Sequence, residues 1–177
     1  VSDIVPLVEE NRLLVRHGLR ILENSNRPGL RALLKPTGTE GRISSTDIGF
    51  RIGPRLNAAG RMDQPEQALA TLMTDCRHEA LDLAEELEHF NRSRQQLEQT
   101  IFAEAMAMLK ECEDDPVIVV GSRSWHAGVV GIVASRLMRM YHKPVFVISI
   151  DAAGVGKGSG RSIAGVSLVD AIRACRH

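Results

Sequence analysis

Apolar residues recur at two different periods along this chain, and the change of period divides it. Over residues 9–22 Leu13, Leu14, Gly18, Leu19 and Leu22 return at helical spacing, with Arg12, Arg16 and Arg20 aligned on another face. Asn24, Asn26, Pro28 and Gly29 break that helix; residues 30–34 then predict a helical turn and residues 36–41 a loop. Ser44 to Asp47 supply N-cap residues for a helix through Ile48, Phe50 and Ile52. It runs into Gly53-Pro54, where the missing proline N–H predicts a kink or break. Residues 65–73 read as a short helix with Pro65 in its first turn. From Arg77 to Glu111 no Gly or Pro interrupts a stripe of Leu81, Ala84, Leu87, Phe90, Leu97, Ile101, Ala105 and Met108. At 1.5 Å per residue such a helix would extend roughly 50 Å, so it is expected to be a connector.

After Asp114-Asp115-Pro116 the pattern becomes one of short, continuous apolar runs. Residues 117–121 and 145–150 read as buried strands, residues 129–141 as the helix between them, and a last helix begins at Ser167. Strand, helix, strand implies a right-handed βαβ unit with a parallel pair. The expected fold is α/β: a helical N-terminal part and a long connecting helix, followed by a small βαβ-containing domain with a partly parallel sheet. The boundaries are drawn at 1–74, 75–115 and 116–177.

Composition changes this picture in one respect. The 177 residues, 44% hydrophobic, suffice for a core, and the net charge is zero. The charge is unevenly spread, however. Residues 116–169 hold six basic residues against the single acid Asp151, whereas residues 75–115 hold twelve acids and four bases. Only the basic module suits a polyanion; an acidic stretch of this kind is usually a solvated helix face. Cys76, Cys112 and Cys175 are far apart and lack metal spacing, as expected of reduced thiols in a cytoplasmic protein. No apolar run approaches the ~20 residues that cross a bilayer. The first residue is not Met and the last four fall inside a helical pattern, so the chain is expected to be a fragment.

Three stretches carry candidate chemistry. In Ser124-Trp125-His126-Ala127-Gly128-Val129-Val130-Gly131, a polar turn joins a strand to a helix. His126 and nearby amides there can meet an anion at the helix start, or His126 is an ordinary surface residue beside packing glycines. In Gly154-Val155-Gly156-Lys157-Gly158-Ser159-Gly160-Arg161-Ser162, glycines alternate with Lys, Ser and Arg. This is either a phosphate cradle, with Arg161 supplying a planar two-pronged donor, or a glycine-rich hairpin with incidental polar residues. In Gly53-Pro54-Arg55-Leu56-Asn57-Ala58-Ala59-Gly60-Arg61, arginines and Asn57 lie among small residues. That suits close approach of a nucleic-acid backbone, and equally a tightly packed helix corner.

Together, and in this order around a long helix, the three stretches resemble the RecJ family of single-stranded-DNA exonucleases within the DHH/DHHA1 phosphoesterase superfamily. The resemblance implies that residues 1–74 are the helical end of a DHH domain and its junction, 75–115 the connecting helix, and 116–177 part of a DHHA1 domain. It implies 5′-to-3′ hydrolysis of single-stranded DNA by a water activated on Mn²⁺ or Mg²⁺, with a role in DNA repair and recombination. A helicase and a single-strand-binding protein are the partners it suggests. Phosphate contact passes by similarity to Ser159, Gly160, Arg161, Ser162 and His126, and the DNA path to Arg55, Asn57 and Arg61. The Asp-His-His segment is absent from this sequence, and the family's Gly-Gly-His motif is expected beyond residue 177. Val1-Ser2-Asp3 resembles the end of the last metal motif, which makes Asp3 a candidate ligand. One carboxylate cannot hold an ion that takes about six oxygen ligands, so this chain alone is expected neither to bind catalytic metal nor to cut DNA. The alternatives are an oligoribonucleotide or cyclic-dinucleotide phosphodiesterase of the same superfamily and a non-catalytic nucleic-acid-binding module. With only 3% aromatic residues, a base-stacking platform is not expected.

Overall fold

The structure, a computed structural model, describes residues 1–2, 5–35, 42–109 and 115–175. They form two compact units, Val1–Ser93 and Arg94–His177. The long helix that residues 77–111 predict is present as α6 (Arg77–Leu109), and it contributes its first half to one unit and its second half to the other.

In the first unit α1 (Glu9–Glu23) buries no residue, and α2 (Pro28–Leu34) buries Gly29, Ala32, Leu33 and Leu34. A Cβ on Gly29 would lie 1.6 Å from the Thr71 carbonyl oxygen, so only glycine lets α2 cross α5 (Pro65–Met73) at this distance. The polar cluster Ser44 to Asp47 caps a short α3 (Ser45–Asp47). The Ser44 hydroxyl accepts from the Asp47 amide, while the Asp47 carboxylate accepts from the Ser44 amide at 2.9 Å and hydroxyl at 2.6 Å.

The expected break at Gly53-Pro54 takes a definite form. Residues Ile48–Ile52 wind as a π turn, in which the Gly53 amide reaches the Ile48 carbonyl five residues back, and α4 (Gly53–Arg61) starts with Pro54 in its first turn. The wider turn is one way for the chain to pass a residue that cannot donate. Gly53 is also pressed against the N-terminus, since a Cβ there would lie 2.5 Å from Ser2 Oγ. Ala58 and Ala59 are fully buried. The apolar stripe of α6 closes this core through Ala80, Ala84 and Leu87. Leu81, expected in the stripe, is 40% exposed and Ala80 takes the buried place beside it, while Ala84 and Leu87 are buried as the stripe has them.

The second unit is the mixed βαβ domain. Strand β1 (Ile118–Ser122) lies parallel to β2 (Val145–Ile150), with Ile118 opposite Val145 and Ser122 opposite Ser149. Helix α7 (Val130–Tyr141) crosses between them and buries Val130, Val133, Ala134 and Leu137 against Ile118, Val145 and Val147. The α6 residues Ile101, Ala105 and Leu109 complete this core, whereas Met108 stays 38% exposed. The glycine-rich segment, read from sequence as a cradle or hairpin, becomes a strand, β3 (Gly156–Arg161), antiparallel to β2 from Ile150↔Gly156 to Val145↔Arg161. Glycine is disfavoured in strands, yet here its lack of a side chain is used. A Cβ on Gly158 would lie 2.9 Å from Ile148, and one on Gly160 would lie 2.8 Å from Phe146 and 2.9 Å from Leu168 of α8 (Leu168–Ala174). Alternation therefore sends the glycines to the crowded face and leaves Lys157, Ser159 and Arg161 on the face toward α7.

Candidate nucleic-acid interface

Arg161 ends β3, and its guanidinium turns back along α7. Nε donates to Ser135 Oγ at 3.0 Å, and one terminal nitrogen donates to Ser159 Oγ at 3.0 Å and to the Gly160 carbonyl at 2.7 Å. Ser135 is itself fixed, donating to the Gly131 carbonyl at 3.0 Å. The other terminal nitrogen, Nη2, has no acceptor among the described residues and lies 3.5 Å from where a Gly131 Cβ would be. Gly131 therefore keeps open a niche at the first turn of α7, and two N–H donors of a forked cation border it. No side chain caps this helix end; the amides of Val129 and Val130 already donate to the His126 carbonyl and that of Ile132 to the Val129 carbonyl, so what the helix offers the niche is the positive end of its dipole. Such a set of donors grips an oxyanion without a base on the protein.

His126 approaches α7 from the other end of the sheet. It follows the C-terminal end of β1, whereas the β2–β3 register sets Arg161 opposite Val145, at the N-terminal end of β2. Both residues thus lie at strand ends, His126 past the C-terminus of β1 and Arg161 at the C-terminus of the antiparallel β3, but at opposite edges of the sheet; Arg161 reaches the helix start through its side chain. Nδ1 of His126 accepts from the Gly128 amide at 3.1 Å, so a neutral ring carries its proton on Nε2 as a donor. Ser162 lies just past β3, and its hydroxyl donates to the Val166 carbonyl at 2.8 Å, bracing the following turn.

The turn that carries His126 is clamped by residues not singled out from sequence. Trp125, 4% exposed, donates Nε1–H to Glu104 Oε2 at 2.7 Å, and Ser124 donates to the same oxygen at 3.2 Å. Ser149 Oγ donates to the Trp125 carbonyl at 2.6 Å. Ser135 was legible in principle, lying four residues after Gly131 on one helical face. Glu104 was not, because nothing local marks which acid of a long acidic helix meets an indole.

In the first unit the Gly53-to-Arg61 stretch divides its roles. Arg55 is largely buried and paired, with Nε 2.6 Å from Glu88 Oε2 and a terminal nitrogen 2.5 Å from the Arg51 carbonyl. Glu88 also holds Arg92 at 2.9 Å. Arg55 thus acts as a strut between α4 and α6, as the packed-corner reading has it. Asn57 is exposed, Arg61 half-buried, and a Cβ on Gly60 would meet nothing within 4 Å. Asp3, the candidate metal ligand, lies outside the described residues. Among the described residues no group of three or more His, Cys, Asp or Glu is placed to hold an ion, so the side chains described here do not make up a divalent centre. No described helix is long and apolar enough to cross a membrane.

Residues 114–177, which hold this mixed sheet and its glycine strand, match the DHHA1 domain family. The likeness to RecJ runs through the whole chain. It is 40% identical to the single-stranded-DNA-specific exonuclease RecJ of Bacillus subtilis over 99% of this chain and 23% of that protein. Against RecJ of Escherichia coli the identity is 40%, over 97% of this chain and 31% of the relative. RecJ of Thermus thermophilus in complex with Mn²⁺ superposes with a TM-score of 0.85 at 38% identity, over 99% of this chain and 26% of that one. The chain therefore spans a quarter to a third of the length of these relatives.

Proposed function

We propose that this chain is the strand-gripping part of a single-stranded-DNA exonuclease of the RecJ kind. The observation that carries the reading is the Arg161 niche, where a guanidinium locked by Ser135 and Ser159 leaves Nη2 unused beside Gly131 at the start of α7. A phosphate oxygen there would complete the hydrogen bonding of the fork and meet the positive helix end. Ser159 and Gly160 serve by fixing the guanidinium and by leaving room beside it. His126 would donate from Nε2 to the same strand, and Asn57 and Arg61 would line its path in the first unit. Arg55 supports that path through Glu88 rather than by contact.

Hydrolysis itself is assigned to the longer protein. The RecJ structures similar to this chain hold Mn²⁺ or Mg²⁺, and such an ion supplies an activated water to the phosphodiester. We assign its ligands to residues other than those described here, with Asp3 as the one contributor from this chain. Digestion from the 5′ end, action in repair and recombination in the cytoplasm, and partnership with a helicase and a single-strand-binding protein extend the same reading. The oligoribonucleotide and cyclic-dinucleotide alternatives draw no support from these relatives.

The test is the binding of labelled single-stranded DNA to Arg161→Ala across a salt series. Losing one phosphate contact should reduce the slope of log K against log salt by about 0.7 to 1. An unchanged slope and affinity would remove Arg161 from the contact surface. In a Mn²⁺-supplemented nuclease assay the 177-residue chain should leave the strand intact, and sustained cleavage would overturn the assignment of the metal centre elsewhere.

A further inference from the structure

Helix α1 and the segment at Arg42-Ile43 enclose a groove of about 1010 Å³ in the first unit, with none of the residues assigned above in its lining. Arg12, Arg16 and Arg20 line it from α1 and Arg42 from the facing segment. Arginines four apart on a helix ordinarily mark a solvated face, but three features separate these from that case. Three arginines elsewhere in this unit have acidic partners: Arg51 pairs with Asp47, and Arg55 and Arg92 pair with Glu88. Among the described residues, none of the four groove guanidiniums has a partner. Glu23, the one acid in the lining, accepts the Ile43 amide at 2.9 Å and so holds the wall in place; it offsets one of the four positive charges and leaves the lining with a net excess of three. Four like charges are thus held around one concavity, with mutual repulsion that a polyanion would relieve.

We propose that this groove is a second phosphate-contact surface for a single-stranded nucleic acid, with Arg12, Arg16, Arg20 and Arg42 as its contacts. Spacing points to the strand. Successive arginines rise by about 6 Å along α1, more than the ~3.4 Å axial rise of a stacked strand, so an extended strand can offer one phosphate to each. The guanidinium fork takes two oxygens of each phosphate. The inference rests on reading the chain as a strand-gripping segment, but on different residues, so it can fail separately.

The experiment titrates a labelled oligothymidylate against the 177-residue chain at several salt concentrations, with circular dichroism to verify folding. Arg12→Gln, Arg16→Gln and Arg20→Gln combined should reduce the salt slope by roughly 2, at about 0.7 per single-strand phosphate contact. The corresponding triple lysine variant keeps the charges and should keep the slope. If the glutamine variant binds as the parent chain does while Arg161→Ala is weakened, the groove is not a strand site and the Arg161 reading stands. If Arg161→Ala binds normally and the glutamine variant is weakened, the groove stands and the Arg161 reading falls. A polyglutamate peptide binding more tightly than the oligonucleotide, and lost in the glutamine variant, would make the groove a protein-docking site and overturn the proposal.

Discussion

The Trp125 indole and the Glu104 carboxylate are joined by a 2.7 Å hydrogen bond that ties the turn ahead of α7 to helix α6. Trp125 is the only tryptophan of the chain and is almost wholly buried. Glu104→Ala would leave its N–H without an acceptor, which costs about 1–3 kcal/mol. Urea unfolding followed by tryptophan fluorescence should show that loss, and Glu104→Gln, whose carbonyl can still accept, should recover most of it. Equal stability of the alanine variant and the parent chain would mean that the bond contributes nothing.

Gly131 offers a way to separate grip from stability. Alanine is the better helix former by about 1 kcal/mol, but its Cβ would lie 3.1 Å from Ser159 Oγ and 3.5 Å from Arg161 Nη2. Gly131→Ala is therefore expected to fold with stability within about 1 kcal/mol of the parent chain while pressing on Ser159 Oγ and filling the space beside Arg161 Nη2. Affinity for single-stranded DNA should fall roughly tenfold, the equivalent of about 1.4 kcal/mol. A variant that binds normally would show that the niche is not used.

Asp47 makes the first unit sensitive to acid. The Ser44 hydroxyl and amide, helped by Arg51, hold its carboxyl below the ordinary 3.8, against a smaller opposing effect of burial. Because the folded value is the lower one, the capping box stabilises fully above the unfolded value, and that stability is lost as pH falls through the folded value. Asp47→Asn should thus lower the melting temperature near neutrality, and the gap between the two proteins should narrow below about pH 4. A gap independent of pH would rule out the carboxylate's charge as its source.

At Gly29 the structure leaves no room at all. The Thr71 carbonyl stands 1.6 Å from any Cβ placed there, and both elements are backbone that must separate to admit one. Gly29→Ala should destabilise the first unit by about 3 kcal/mol, visible as a lower denaturation midpoint, whereas Gly60→Ala, with open space around it, should not.

These residues also show how far the sequence could be read. Elements with long regular periods were legible: Pro65–Met73 and Val145–Ile150 fall where the pattern puts them, and α6 starts at Arg77. Strand β3 was not, because strand propensity speaks against glycine and the reason for it is the approach of Phe146, Ile148 and Leu168, which no local pattern encodes. Arg161 stood out as a candidate phosphate contact from its setting among glycines. Ser135, which holds its guanidinium, is 26 residues away and joined to it only by the fold. Arg55 looked like a contact residue because composition shows its charge but not its partner Glu88, 33 positions on.

The π turn at Ile48–Ile52 amounts to one surplus residue wound into an otherwise ordinary helical path. The wide turn absorbs that residue locally, so a single deletion within Ile48–Ile52 would let the path close into a regular helix and leave Ala58 and Ala59 facing the core as before. A single deletion inside α4 has no such slack and would turn each later side chain by about 100°, so the aim of the Asn57-to-Arg61 face survives a lost residue on one side of Gly53 and not on the other.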